Sequence, residues 1–76
     1  MKQYRLSVRT EYHRSCGFYE TYGIALIVDG APQRIIKDIS LDREKVVSLV
    51  ALFNEEDLDP VHFSQAVDDF LLDGEI

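Results

Sequence analysis

One cysteine, Cys16, is all the thiol chemistry this 76-residue chain contains, so no disulfide can close within it. A fold of this length buries only about 60 % of the surface its unfolded chain exposes and usually leans on a disulfide, a metal or a partner chain. Metal ligands are as scarce. His13 and His62 are the only histidines, whereas a structural zinc takes four ligands and a catalytic zinc usually three from the protein. No metal and no cofactor is expected, and a partner chain is the support that remains, so the expectation is a homodimer. Long hydrophobic runs are missing too. No apolar run exceeds five residues, "IALIV" (24–28) being one, against the roughly 20 that a membrane helix needs. The opening "MKQYRLSVRT" has basic residues but no apolar stretch of a secretory signal. With a lone thiol, which suits a reducing compartment, this reads as a cytoplasmic protein with no membrane role.

Basic residues run short in one half only. Residues 1–37 carry a net charge of +3, with Lys2, Arg5, Arg9, Arg14, Arg34 and Lys37 against three carboxylates, while residues 38–76 carry −9. Such asymmetry between halves is one signal of an interaction surface. The acidic half suits a basic protein partner and repels phosphate, which disfavours nucleic acid.

Apolar residues are not short, at 46 %, enough for a packed core and too many for a disordered chain. Their periodicity predicts one small α+β domain over residues 1–76. Tyr4, Leu6, Val8, Thr10 and Tyr12 alternate with Arg5, Ser7, Arg9 and Glu11, which is the period of a half-buried strand over 4–12. A second strand over 18–28 thickens into a run apolar on both faces, as a central strand does. Gly23 within it marks a bulge or a close backbone approach. Asp29-Gly30 favours a tight primed turn, and Pro32 places the third strand, 33–39, at an edge. Ser40 is a candidate cap for a helix over 41–54, with Asp42 and Glu44 suited to its positive end. Val46, Leu49, Val50 and Phe53 form its apolar stripe, and Asn54 its terminator. A second helix over 60–72 has Asp59 as cap, Pro60 in its first turn, and Leu58 and Phe63 at the positions of a hydrophobic staple. Gly74 is its expected release. The architecture is a three-stranded antiparallel meander followed by a two-helix hairpin packed on one sheet face, β-β-β-α-α.

"YHRSCGFYETYG" (12–23) is the stretch most suggestive of chemistry. A cysteine nucleophile needs a base in reach and a group to orient it, yet His13 and Cys16 fall in a turn between strands with no such group in sight. The turn reading is preferred, with Tyr12, Phe18, Tyr19 and Tyr22 pairing across strands. Cys16 and His13 also make an H-x-x-C pair, too few ligands for zinc. "NEEDLDP" (54–60) lacks the glycine and oxygen spacing of a calcium loop and reads as a solvated link. His62, in the first turn of a helix, is expected to be structural. No catalytic residue is assigned, and the chain is expected not to be an enzyme.

The sheet face left open by the helices is the remaining candidate. It is expected to carry Arg5, Arg9, Tyr19, Ala25, Ile27, Arg34 and Ile36, an apolar centre with a charged rim, as interfaces have. Exposed edge strands offer a second route to pairing. None of this gives a biochemical function. The favoured class is a small non-enzymatic interaction or regulatory module that self-associates. The alternative is a small-molecule or nucleic-acid binder using the basic sheet face around Arg5, Arg9, Tyr19 and Arg34.

"TYGIAL" (21–26), "DISLD" (38–42), "KVVSLVALFN" (45–54), "LDPVHF" (58–63) and "VDDFL" (67–71) resemble, in that order and spacing, an uncharacterised family of small proteins from anaerobic Gram-positive bacteria. That family is a domain of unknown function, so the resemblance implies a bacterial cytosolic protein but no substrate, cofactor or catalytic residue. The family pattern falls on Tyr22-Gly23, Asp38, Ser40, Asp42, Asn54, Pro60, His62 and Asp69-Phe70, and leaves out His13 and Cys16.

Overall fold

The computed structural model describes residues 1–74. Its elements run β1 (Lys2–His13), β2 (Gly17–Val28), β3 (Ala31–Ser40) and α1 (Arg43–Glu55), then a 3-10 turn at Pro60–His62 and α2 (Phe63–Gly74). The strands form one antiparallel sheet in the order β1-β2-β3, so the α+β meander with a following helix pair is the architecture found. Asp29 and Gly30 both adopt positive φ, 52° and 83°, as a primed turn between β2 and β3 demands.

Helix boundaries follow the capping chemistry with two changes. Ser40 remains in β3, and its hydroxyl accepts the Asp42 N–H at 3.0 Å; Asp42 is the cap, accepting the Glu44 N–H at 3.1 Å. A carboxylate at this position adds charge stabilisation to the free N–H groups that a hydroxyl lacks. The second helix opens tightly. Asp59 accepts the Val61 N–H at 3.0 Å, Pro60 follows it, and the α-helix proper starts at Phe63. It continues through Gly74, where release is expected, and the residues beyond lie outside those described.

The core joins the base of the sheet to both helices. Tyr4, Ile24, Leu26 and Ile39 pack with Val46, Leu49 and Phe53 of α1 and with Phe63 and Val67 of α2. Tyr4 stands edge-on to Phe53 and Phe63, with ring centroids 5.4 and 5.1 Å away, the arrangement that sets ring edges against ring faces. Its hydroxyl donates to the Leu58 carbonyl at 2.7 Å. Burying this ring therefore costs no unpaired polar group.

Two irregularities shape β3. At its start the register with β2 slips by one residue between Leu26 and Ile27. Near its end Lys37, Asp38 and Ile39 all lie between the partners of Tyr22 and Ile24, opposite Gly23 alone, with Asp38 at φ 55°. Gly23 is where the β3 backbone presses closest. A Cβ there would collide with the Ile36 carbonyl oxygen and lie 3.0 Å from the Lys37 Cα. Both readings of this glycine, bulge and close approach, hold together.

Length decides what the helices cover. Strands of 12 residues reach roughly 40 Å, in keeping with a longest dimension of 41 Å. Helices of 13 and 12 residues reach roughly 20 Å. The helices sit over the end of the sheet that holds Tyr4 and Leu26, and the other half of the β1–β2 hairpin projects as an arm.

Candidate interaction surface

Register assigns the faces. Tyr4 opposes Leu26, Leu6 opposes Ile24, Val8 opposes Tyr22 and Tyr12 opposes Phe18, so these side chains all point to the helix side. Arg5, Ser7, Arg9 and Glu11 oppose Ala25, Gly23, Thr21 and Tyr19 on the open side. The open face thus holds five of the expected residues, Arg5, Arg9, Tyr19, Ala25 and Ile27. It does not hold Arg34 or Ile36. With an unbroken hairpin from Asp29-Gly30 those two would face the open side, but the one-residue slip turns every later side chain over. Arg34 opposes Leu26, Ile36 opposes Ile24 and packs against the core, and Ile35 takes the open-face place opposite Ala25.

This correction weakens the open face as a binding platform. Ala25 is buried between its neighbours, and Ile35 and Tyr19 are the large side chains left exposed there, at 46 and 37 %. The basic groups are tied sideways. Arg9 Nε lies 2.8 Å from Glu11 Oε2, and Arg5 Nε donates to Gln3 Oε1 at 3.2 Å. With Arg34 on the other face, the cluster proposed for phosphate or a small molecule is dispersed.

The projecting arm presents more. Val8, Tyr12 and Phe18, on the helix side but beyond the helices, are 49, 63 and 77 % exposed. Alternation puts Val8 on the same face as Tyr4 and Leu6, but the helices stop short of it. Tyr12 and Phe18 pack edge-to-face at 5.1 Å across the strands, which holds two rings in a fixed pose at the tip.

The two edges of the sheet differ. β3 carries Pro32, Lys37 and the positive-φ Asp38, features that discourage strand pairing. β1 runs in unbroken register from Lys2 to His13 with no proline or bulge. Its outer edge is closed at one point. Asn54 Oδ1 accepts the Tyr4 N–H at 2.8 Å, and its Nδ2 donates to the Tyr4 carbonyl at 2.9 Å. Lys2 Nζ, beside it, donates to the Leu58 carbonyl at 2.9 Å and pairs with Asp57 at 3.0 Å. Because both polar groups of Tyr4 point away from β2, those of Leu6, Val8, Thr10 and Tyr12 do so as well. Among the described residues no hydrogen bond reaches them.

A shallow hollow of about 790 Å3 lies where β3 leaves the sheet, lined by His13, Cys16, Tyr19, Thr21 and residues 38–42. It brings His13 and Cys16 near Asp38, Ser40 and Asp42, a neighbourhood that sequence spacing had not linked. Three of its polar side chains, those of His13, Ser40 and Asp42, are engaged elsewhere. His13 Nδ1 lies 3.2 Å from the Ser15 N–H and 3.0 Å from its hydroxyl, Ser40 accepts from Asp42, and Asp42 caps α1. Cys16 is exposed. No group of three or more His, Cys, Asp or Glu side chains among the described residues is placed to hold a metal ion. His62 is exposed on the 3-10 turn. No helix among the described residues is long and apolar enough to cross a membrane.

A family model described as "Family of unknown function (DUF6514)" matches residues 2–73, and the chain belongs to that family. No curated protein and no solved structure matches it.

Proposed function

We propose that this member of a family without assigned activity is a small non-enzymatic interaction module that self-associates, with the β1–β2 arm as its contact surface. The observation that carries the reading is the exposure of Val8, Tyr12 and Phe18 on the side of the sheet that elsewhere forms the core. Burying each such side chain is worth about 1.5–3 kcal/mol, and a second copy supplies the cover that two short helices do not. The strongly acidic helical half, with Glu55, Glu56, Asp57, Asp59, Asp68 and Asp69 exposed, stays free for a basic protein partner. An exposed, unpaired Cys16 supports a reducing, cytoplasmic setting, and the sequence resemblance supports a bacterial source.

The test is Tyr12→Glu, followed by light scattering and circular dichroism. The variant is expected to lose dimer mass while keeping its secondary structure, because Tyr12 is 63 % exposed in the single chain. A Tyr12→Glu protein that dimerises as tightly as the parent would contradict the arm as the contact surface.

A further inference from the structure

The free edge of β1 specifies its partner and its register. Residues 6–12 present outward backbone groups at Leu6, Val8, Thr10 and Tyr12, and an added strand must pair with them. When the added strand is β1 of a second copy, antiparallel and related by a two-fold axis, opposed residues must have the same backbone orientation. The axis then passes through one residue, and along residues 6–13 four positions pair five or more residues of each strand: Val8, Arg9, Thr10 and Glu11.

Charge and the Asn54 clamp choose among them. An axis at Val8 sets Tyr12 against the partner's Tyr4, whose edge Asn54 already occupies. An axis at Arg9 opposes two arginines, and one at Glu11 opposes two carboxylates; like charges directly opposite destabilise a strand pair. An axis at Thr10 opposes Arg9 to Glu11 twice and Val8 to Tyr12 twice, with nothing of like charge in register. The Arg9–Glu11 pair already formed within each chain, at 2.8 Å, becomes half of an alternating ring of four charges around the axis.

We infer that this protein dimerises by antiparallel β1–β1 pairing centred on Thr10, forming one six-stranded sheet across two copies with both helix pairs on the same face. This rests on the self-association reading and adds the edge, the symmetry and the register. It also gives Asn54 a second role, since closing the edge at Tyr4 shuts out the Val8-centred slip. The rigid arm, with its rings paired at the tip, is then the part of each chain laid against the other.

Single thiols in a Cys16→Ser background test the register. Thr10→Cys sits on the axis, where the two Cα atoms of a hydrogen-bonded pair lie about 5.5 Å apart, so a short bifunctional thiol reagent is expected to convert most of the protein to covalent dimer. Ser7→Cys lies three residues off the axis in each copy, roughly 20 Å from its mate, and is expected to remain uncrosslinked. Both are run beside the light-scattering mass of the same variants. A dimer whose Thr10→Cys form does not crosslink, or whose Ser7→Cys form crosslinks faster, overturns the register and leaves self-association standing. Monomer mass throughout the concentration range overturns both.

Discussion

Asn54 and Tyr4 are fifty residues apart and meet as two strands would, the side-chain amide giving one hydrogen bond to the Tyr4 backbone and taking the other, at 2.9 and 2.8 Å. A carboxamide has the donor and acceptor of a peptide group, so the last turn of α1 closes one rung of the β1 edge. The same residue ties the helix layer to the sheet beside the Tyr4 ring, the centre of the core.

Asn54→Ala leaves both Tyr4 backbone groups without their partner and is expected to cost about 1–3 kcal/mol in urea unfolding. Asn54→Asp keeps the acceptor, loses the donor and sets a carboxylate against a carbonyl, so it is expected to cost at least as much. Either variant opens the edge at Tyr4 and makes the Ser7→Cys crosslink appear. A loss below about 0.5 kcal/mol, the scale of a neutral surface change, would show the clamp to be incidental.

Gly23→Ala forces a Cβ into the Ile36 carbonyl, which is backbone held by the sheet and cannot rotate away. Overpacking of this kind is expected to cost about 3 kcal/mol, lowering Tm by more than about 10 °C for a domain of this length. A melting curve within two or three degrees of the parent, by the same scale, would mean that β3 gives way there.

The Tyr4 hydroxyl is held above its ordinary pKa of 10.0 by burial, then by the nearby Asp59 and Asp57 carboxylates. Its contribution to stability is fully present below pH 10, where the unfolded chain is also protonated. It is lost as pH rises through the higher folded value, because the unfolded state ionises first. Tyr22 is raised as well, by desolvation and by Glu20, and adds to the same slope. Stability is expected to fall steeply above pH 10, and Tyr4→Phe to flatten that fall while costing about 1 kcal/mol at neutral pH for the lost bond to Leu58. An unchanged alkaline slope in Tyr4→Phe would remove Tyr4 as its source.

Arg9→Glu and Glu11→Arg each turn the two cross-axis pairs from attractive to repulsive. Each alone is expected to weaken dimerisation about tenfold or more, with the loss reduced at high salt. Mixed in equal amounts they are complementary and are expected to form a heterodimer, as the double variant forms a homodimer. Chains that stay apart on mixing would contradict the pairing of Arg9 with Glu11.

Much of the fold is legible along the chain because its signals are local. Alternation in β1, the Asp29-Gly30 turn, the Asp59-Pro60 helix start and the stripe ending in Phe53 each depend on neighbours a few residues away. What escaped depends on distant ones. The slip at Leu26 and Ile27 needs the bulge in β3 to be known, and it alone moves Arg34 and Ile36 off the face where alternation puts them. Asn54 reads as a helix terminator and Ser40 as a cap, since nothing near them in sequence reveals the Tyr4 edge or the preference for Asp42. The projecting arm was available from arithmetic, strands of roughly 40 Å against helices of roughly 20 Å, a comparison of lengths that residue patterns do not make.

The mass in solution, measured by light scattering across a hundredfold range of concentration, tests self-association most directly. The account predicts twice the mass of one chain over most of that range, falling toward one only at the dilute end and more readily for Arg9→Glu. A mass of one chain at every concentration would contradict it.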